Sequence, residues 1–388
     1  MKILQMISSG GMYGAEAVIL NLSRSLNEGP HRSMLGVFSN SSNPNLQLHE
    51  SATKQGVESY LIPCNGQVDR KAITRIRELV ERTGVNVVHA HGYKADIYAL
   101  LALRGSGVSL VSTCHNWIDS DQKTSFYGIL DRRILRGYAR VVAVSEDVRQ
   151  RLLKSGVNAN KVSMIRNGID LRPFDRASAT VRHELGWDAH PIVGFVGRLS
   201  REKGPDIFLS AAARVLAQCP DAKFVLAGDG PDRAELETLI DQLGIRDRVR
   251  MLGRCDDMPA VYASLDIMVS ASRIEGLPMA ILEGMASRLP LVATAVGEVP
   301  TVIQDGRTGV LVPAEDTELL AAAIIELLRD PEKRKLLGAA ARQLVEDEFS
   351  AERMRADYLR VYEDAIAVTA KGKERRGGFS VAARGKTK

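Results

Sequence analysis

The chain has 388 residues, of which 45% are hydrophobic and 5% aromatic, a balance usual for soluble α/β enzymes that leaves room for two domains. No apolar run is long enough to cross a bilayer and the N-terminus lacks a long apolar signal region, so we expect a cytoplasmic protein. The four cysteines are scattered without a CxxC spacing, which argues against a zinc site and a disulfide framework.

The formal net charge of +5 is concentrated at the C-terminus. Residues 371–388 carry seven basic residues and one acidic residue, so the remainder of the chain is close to neutral. A glycine-rich basic stretch without aromatic periodicity predicts a disordered tail and argues against a nucleic-acid partner. This tail, together with a basic face on a helix predicted at 123–138, makes peripheral binding to an anionic membrane surface, at the inner face of the cell membrane, a further hypothesis.

Short apolar runs alternate with helical patterns from the start of the chain. In the first half, strands are predicted at 2–7, 35–38, 86–90, 110–113 and 141–144. In the second half, strands are predicted at 192–196, 224–227, 249–252, 266–269, 291–293 and 310–312. The alternation predicts an α/β fold with two doubly wound, Rossmann-like domains facing across a cleft. Turn-forming residues near 166–174 separate a domain at 1–168 from a second domain at 169–350.

The loops that follow strands are the candidate sites, because ligands of open α/β sheets bind beyond the carboxyl ends of the strands. The first of these loops contains Gly10, Gly11 and Gly14 and opens a helix. Its backbone N–H groups could approach a phosphate or an acceptor closely. The glycine spacing is not GxGxxG, which argues against a dehydrogenase.

Histidines follow two other strands of the first half. His89 and His91 share one face of a strand, but the sequence suggests no third ligand, so we predict no metal site. We interpret His89 as a core residue and expect His91 and His115 to reach the cleft. The triplet Asp119–Asp121 has the DxD form that holds a divalent metal against a diphosphate, but its place before a helix favours a cap.

In the second half, Arg198 and Lys203 lie on one loop after a strand, where two cations could neutralise a diphosphate. A later stretch has Glu275 in a strand-to-helix loop and Glu283 on the helix that Pro278 should open. The start of a helix favours an anion, so the two acids would hold hydroxyls on either side of it, as in a nucleotide-sugar. The alternative for this pair is that Glu275 caps the helix and that Glu283 is a solvated acid on the helix surface.

Taken together and in this order, these motifs resemble the retaining glycosyltransferases of the GT-B fold, specifically glycosyltransferase family 4, from about residue 3 to about residue 365. The motifs that carry the resemblance are Gly197–Arg198 with Lys203–Gly204, Ala227–Pro231, Glu275–Glu283 and Asp305–Pro313. One loop departs from the family pattern, because Gly297–Thr301 lacks a small residue and an acid. The resemblance also implies that a last helix at 351–368 packs back on the first domain.

By this resemblance, Glu283 would hold the ribose, Glu275 the donor sugar, and Arg198 with Lys203 the diphosphate, while His115 would lie beside the donor sugar. The other residues assigned to nucleotide-sugar binding are Gly11, Gly14, Gly228, Gly230, Arg254, Gly276, Leu277 and Met279. No cofactor is expected, since the nucleotide-sugar is a substrate.

We therefore predict a retaining, metal-independent glycosyltransferase that moves a hexose-type sugar from a UDP-sugar to a saccharide or lipid-linked saccharide, in cell-envelope or exopolysaccharide assembly. Three alternatives stay open: a nucleotide-sugar epimerase of the same fold, a sugar phosphorylase that holds pyridoxal phosphate, and a non-catalytic nucleotide-sugar-binding protein. The sequence does not indicate an oligomeric state.

Overall fold

A computed structural model describes residues 1–12, 14–41, 44–65, 69–115, 134–276 and 279–383, with side chains up to residue 372. The chain divides into two compact units. Unit 1 comprises Met1–Gly168 and the C-terminal segment from Ala351, and unit 2 comprises Ile169–Ser350. The predicted features Asp119–Asp121, Leu277, Pro278 and most of the helix at 123–138 lie outside the described residues.

Unit 1 is built on a seven-stranded parallel sheet. Its strands are β1 (Lys2–Ile7), β2 (Arg32–Ser39), β3 (Ser59–Pro63), β4 (Val87–His91), β5 (Ser109–Cys114), β6 (Arg140–Ala143) and β7 (Val162–Met164). Their order is β3-β2-β1-β4-β5-β6-β7, so the winding reverses between β1 and β4. The central strands β1, β4 and β5 are almost completely buried, as expected where helices cover both faces of a parallel sheet.

The helices of unit 1 follow the strands and cover the sheet. They are α1 (Gly14–Asn27), α2 (Gln47–Lys54), α3 (Arg70–Thr83), α4 (Tyr93–Leu103) and α5 (Glu146–Lys154). The start of α3 is set by Asp69, whose side chain accepts hydrogen bonds from the backbone N–H groups of Lys71 and Ala72. Its end is set by Gly84, which adopts a left-handed φ of +64°.

Unit 2 has a six-stranded parallel sheet in the order β10-β9-β8-β11-β12-β13. Its strands are β8 (Ile192–Val196), β9 (Lys223–Ala227), β10 (Val249–Gly253), β11 (Ile267–Ser270), β12 (Leu291–Thr294) and β13 (Val310–Val312). The winding reverses between β8 and β11, so the loops that follow these two strands are neighbours. Both units are therefore doubly wound, and the predicted α/β fold class is confirmed.

The helices of unit 2 alternate with its strands. They are α6 (Arg172–Asp175), α7 (Thr180–Glu184), α8 (Pro205–Leu216), α9 (Arg233–Gln242), α10 (Met258–Ala263), α11 (Met279–Ala286), α12 (Val299–Val302), α13 (Thr317–Arg329) and α14 (Pro331–Glu348). Short 3₁₀ turns span Arg201–Lys203 and Arg246–Arg248 in this unit and Ala159–Lys161 in unit 1. One apolar cluster in this unit joins α10 to α11 beneath the later strands, and it contains Tyr262, Ile281 and Leu282.

The last helix, α15 (Ala351–Ala383), packs against α1 and β5 of unit 1. It continues beyond Val368, where the sequence suggested its end, to Ala383. The stretch contains no proline, and its lysine, glutamate, arginine and alanine residues favour a helix, which offsets its glycines. None of the described helices combines the length and the apolar character needed to cross a bilayer.

Candidate functional site

The loop after β9 packs directly on the loop after β8. A side chain built on Gly228, whose φ is +141°, would have its Cβ 1.9 Å from the carbonyl oxygen of Gly197. A Cβ on Gly230 would lie 2.2 Å from the carbonyl oxygen of Leu199. Both glycines therefore have a packing role that shapes the loop carrying Arg198.

The two predicted cations differ in their surroundings. Arg198 is exposed, and among the described residues its guanidinium makes no hydrogen bond or ion pair with a side chain. Lys203 ends the 3₁₀ turn Arg201–Lys203, and its Nζ lies 2.5 Å from Oε1 of Glu275. Lys203 and Glu275 are far apart in sequence but meet because they follow the adjacent strands β8 and β11.

Several contacts fix the carboxylate of Glu275. Oε1 also accepts a hydrogen bond from the Ser272 hydroxyl at 2.8 Å, and the Glu275 side chain is only 6% exposed. The backbone carbonyl of Ser272 in turn accepts from Oγ1 of Thr294, at the end of β12, over 2.6 Å. Glu275 therefore stands in one orientation before any ligand binds.

The loop that departs from the family pattern touches this glutamate. Gly297 has a left-handed φ of +53°, and a Cβ built there would lie 1.7 Å from the carbonyl oxygen of Glu275. A residue with a side chain could not occupy this position without moving one of the two loops. The loop after β12 thus helps to set the position of Glu275.

An arginine next to Glu275 anchors the same loop. Arg273 makes a bidentate pair with Asp206 at 2.8 and 2.7 Å and a further ion pair with Glu315 at 3.0 Å. The hydrogen bonds that Arg273 donates to Asp206 raise the pKa of Arg273 and lower the pKa of Asp206. Because Asp206 lies in the first turn of α8, the loop after β11 is tied to the start of that helix.

Glu283 lies on α11 and is half-buried. Its Oε2 accepts a hydrogen bond of 2.7 Å from the hydroxyl of Tyr262 on α10, a side chain that is completely buried. Burial raises the pKa of Glu283, while the hydrogen bond from Tyr262 acts in the opposite direction. Burial also holds the pKa of Tyr262 well above its ordinary value, so the tyrosine keeps its proton.

The remaining predicted residues of unit 2 lie at strand and helix ends. Arg254 is exposed directly after β10, and no hydrogen bond or ion pair among the described residues joins it to Lys203 or Glu275. Gly276 is exposed next to Glu275, and Met279 is the first residue of α11, packed against its apolar cluster.

In unit 1, the glycine loop is held by side chains of its own and of α2. The Ser9 hydroxyl lies 3.2 Å from the backbone nitrogen of Gly11, which donates to it, and 3.0 Å from the carboxylate of Glu16. The backbone N–H of Met12 donates to the side chain of Gln47 at 3.1 Å. Gly11 is buried, and Gly14 begins α1 and is exposed.

His115 directly follows β5 and forms a chain of hydrogen bonds with β4 and β1. Its Nε2 lies 2.9 Å from Nδ1 of His91, and Nε2 of His91 lies 2.9 Å from Oε1 of Gln5. An amide oxygen only accepts, so His91 must donate from Nε2, and a neutral His91 then accepts at Nδ1. This assigns the proton of His115 to Nε2 and leaves its buried Nδ1 as an acceptor without a partner among the described residues.

Burial keeps this histidine chain neutral. It lowers the pKa of His115 to about 4 and the pKa values of His91 and His89 well below their ordinary range. His89 is completely buried, with Nδ1 at 2.8 Å from the Tyr362 hydroxyl and Nε2 at 2.7 Å from Thr113. Across the described part of the chain, no three His, Cys, Asp or Glu side chains are grouped as a metal ion would require.

Comparisons with known proteins assign the family. A family model described as Glycosyltransferase Family 4 matches residues 12–172, and one described as Glycosyl transferases group 1 matches residues 179–344. Alpha-D-kanosaminyltransferase of Streptomyces kanamyceticus is 33% identical over 72% of this chain and 77% of its own. The chain belongs to glycosyltransferase family 4.

A second curated relative of this glycosyltransferase is N-acetyl-alpha-D-glucosaminyl L-malate synthase of Bacillus anthracis, 29% identical over 85% of this chain and 87% of its own. Among solved structures, Anabaena Alr3699/HepE in complex with UDP has a TM-score of 0.81 at 21% identity, over 94% of this chain and 100% of that one. The same protein in complex with UDP-glucose has a TM-score of 0.77, over 96% of this chain and 99% of that one. The predicted GT-B fold is thereby confirmed.

Several residues of this glycosyltransferase's candidate site were not assigned from the sequence. They are Tyr262, Ser272, Arg273, Thr294 and Gln5, each of which contacts a predicted residue or its loop. Ser272 lies three residues before Glu275, which is a short-range signal that could have been used. Tyr262, Thr294 and Gln5 come from other strands and helices, so only the fold reveals them.

Proposed function

We propose that this glycosyltransferase moves a hexose-type sugar from a UDP-sugar to a saccharide or lipid-linked saccharide, with retention of the anomeric configuration and without a metal ion. The observation that carries the proposal is the Lys203–Glu275 pair, with the exposed Arg198 earlier on the same loop and, among the described residues, without a side-chain hydrogen bond or ion pair. Cations suit a diphosphate, and a fixed carboxylate suits sugar hydroxyls. The relative Alr3699/HepE was solved with UDP and with UDP-glucose, which supports the same class of donor here.

In this proposal, the nucleotide end of the donor meets α11 and the loop after β10. Glu283 accepts hydrogen bonds from the ribose, and Arg254 lies on the side of the base. Gly276 and Met279 flank the start of α11, where backbone N–H groups and the helix dipole favour the diphosphate. Gly228 and Gly230 act by holding the loop that carries Arg198.

The sugar end of the donor meets Glu275 in unit 2. Glu275 accepts from the sugar hydroxyls, and the Nδ1 acceptor of His115 is the atom in unit 1 suited to a further hydroxyl. Gly11 and Gly14, in the loop after β1, serve the acceptor.

The chemistry proposed is departure of the nucleoside diphosphate on the face from which the acceptor arrives. The bond from the anomeric carbon to the diphosphate oxygen breaks, and the acceptor oxygen bonds to the same face of that carbon. The departing oxygen takes the acceptor's proton. Arg198 and Lys203 stabilise the negative charge that grows on the diphosphate, and Lys203 has three N–H donors, so it can do so while it holds Glu275.

A donor panel tests the proposed substrate class. We expect UDP-glucose or a related UDP-hexose to raise the melting temperature in differential scanning fluorimetry more than ADP- or GDP-sugars do, because a ligand stabilises the fold it binds. The best donor is then incubated with saccharide and lipid-linked acceptors. Binding of a donor with no transfer to any acceptor would contradict the proposed reaction.

Metal independence is tested with a chelator. We expect the transfer rate to be unchanged in EDTA, because the two cations replace the metal at the diphosphate. A rate that EDTA abolishes and Mg²⁺ restores would contradict this part of the proposal.

We also propose that the basic C-terminus holds the enzyme at an anionic membrane surface, where lipid-linked acceptors of envelope or exopolysaccharide assembly would be met. Each basic residue near such a surface contributes about 1 kcal/mol. Deletion of residues 371–388 should therefore abolish binding to phosphatidylglycerol vesicles at low salt. Undiminished binding of the shortened chain would contradict this role.

A further inference from the structure

The side chain of Tyr262 is completely buried, and its hydroxyl contacts Glu283. Its ring lies in the apolar cluster between α10 and α11, with the ring of Phe174 edge-on at 6.0 Å. Its hydroxyl donates to Oε2 of Glu283 at 2.7 Å, and the carbonyl oxygen of Ala280, at 3.4 Å, is too distant to compete. The single proton of Tyr262 is thus committed to the carboxylate.

This contact determines how Glu283 meets a ligand. A carboxylate on a half-buried helix position could rotate among several rotamers, each with a different oxygen facing the ligand. The bond from Tyr262 fixes Oε2, and among the described residues no side chain donates to Oε1. Glu283 therefore presents one oxygen that is free to accept and one that is already anchored.

We infer that Tyr262 is a positioning residue for the recognition of the donor's ribose: it fixes the Glu283 carboxylate so that the free oxygen accepts from the two neighbouring ribose hydroxyls. The inference rests on the proposed function, which assigns Glu283 to the ribose. If the Tyr262 hydroxyl only completed the packing of α10, its removal would change the affinity for every ligand to the same extent. If the Tyr262 hydroxyl orients Glu283, its removal would weaken the binding only of ligands that carry the ribose hydroxyls.

These two roles can be distinguished by removing hydroxyls from the ribose of the ligand and from residue Tyr262 of the protein in the same experiment. UDP, 2′-deoxy-UDP and 3′-deoxy-UDP are titrated calorimetrically into the full chain and into the Tyr262→Phe variant. The wild-type chain should bind UDP at least about tenfold more tightly than either deoxy ligand, as expected when a charge-assisted hydrogen bond is lost. In Tyr262→Phe, UDP should bind about tenfold more weakly and the deoxy ligands about as before, so that the preference for UDP disappears.

Two further variants distinguish a role of Tyr262 in orienting Glu283 from a role in packing the apolar cluster. Phe174→Leu disturbs the same apolar cluster but leaves the Tyr262–Glu283 bond, so it should change the affinities for all three ligands equally. In a Glu283→Gln background, adding Tyr262→Phe should not change the preference further, because the carboxylate that the tyrosine orients is gone. The melting temperature of each variant confirms that it is folded.

The outcomes distinguish this inference from the proposed function. If the wild-type chain prefers UDP to the deoxy ligands and Tyr262→Phe keeps that preference, Tyr262 does not position Glu283 and the inference is overturned while the proposed donor stands. If Tyr262→Phe weakens all three ligands equally, its role is packing and the inference is likewise overturned. If the wild-type chain binds none of the three ligands, the proposed UDP-sugar donor fails, and the inference fails with it.

Discussion

Lys203 is paired with the carboxylate of Glu275, whereas Arg198 forms no ion pair within the described part of the chain. Replacing Arg198 by Ala should leave the free energy of unfolding within about 0.5 kcal/mol of wild type, because the side chain is exposed and, as far as the structure describes the chain, makes no side-chain hydrogen bond or ion pair. The same change should lower kcat by about 10² or more, since the arginine acts mainly on the departing diphosphate. Urea unfolding and steady-state kinetics measure the two effects.

Lys203→Met should reduce stability as well as turnover. It leaves the Glu275 carboxylate, which is 6% exposed, without its cation, at a cost of about 1 to 3 kcal/mol. The matched control is Lys203→Met with Glu275→Gln, which removes both charges and should recover most of the stability but none of the activity. Equal urea midpoints for Lys203→Met and wild type would show that the pair does not stabilise unit 2.

Gly297 offers a second test at the level of single residues. Gly297→Ala should displace the Glu275 loop and raise the KM for the donor, because a Cβ would lie 1.7 Å from the Glu275 carbonyl oxygen. Gly244 is the matched control: its φ is also positive, at +69°, but it has open space around it. Gly244→Ala should cost about 1 kcal/mol of stability and leave the KM unchanged. Similar kinetics for both variants would contradict the proposed contact.

At the scale of elements, the histidine chain joins β1, β4, β5 and α15 through groups that must stay neutral. The groups that face it are the three histidines themselves and the hydroxyls of Tyr358, Tyr362 and Thr113. The pKa of His115 is about 4 in the folded chain and about 6.5 when unfolded, so the unfolded chain binds more protons between these values. Stability should therefore be complete above about pH 6.5 and decrease as the pH falls toward 4.

The size of this effect can be measured with one substitution. Between pH 7 and pH 5, His115 alone should lower the free energy of unfolding by about 1 to 2 kcal/mol. His115→Gln cannot be protonated and should show a correspondingly smaller decrease, which urea unfolding at both pH values would detect. An identical pH dependence in both proteins would contradict the depressed pKa of His115.

The sequence was sufficient for the central strands but not for the edges of the first sheet. Strands such as β8 and β9 are almost completely buried and read as nearly continuous apolar runs. The edge strands β3 and β7 are largely half-buried or exposed and carry no such run, so they were missed.

The site residues divide in the same way. Glu275, Glu283, Arg198 and Lys203 could be named from local motifs, since each lies in a loop or helix start that follows a strand. The contacts that orient them could not, because Lys203–Glu275, Arg273–Asp206 and Tyr262–Glu283 each join separate elements. Only the strand order of unit 2 brings the loops after β8 and β11 together.

At the scale of the whole molecule, the protein is a two-unit α/β chain of glycosyltransferase family 4, and the donor machinery that we propose lies in unit 2. The family assignment rests on the matched family models and on the curated relative at 33% identity. The donor, the acceptor and the stereochemistry are proposals, and they are linked by one claim. We propose that the diphosphate leaves from the face that the acceptor attacks, with Arg198 and Lys203 stabilising its charge.

The most direct test of that claim is ¹H NMR of the anomeric proton in the fresh product, formed from an α-linked UDP-hexose before any mutarotation or hydrolysis. We predict the small coupling constant of an α-linkage, in a reaction that Arg198→Ala slows by about 10² without changing its stereochemistry. A β-linked product would contradict the mechanism.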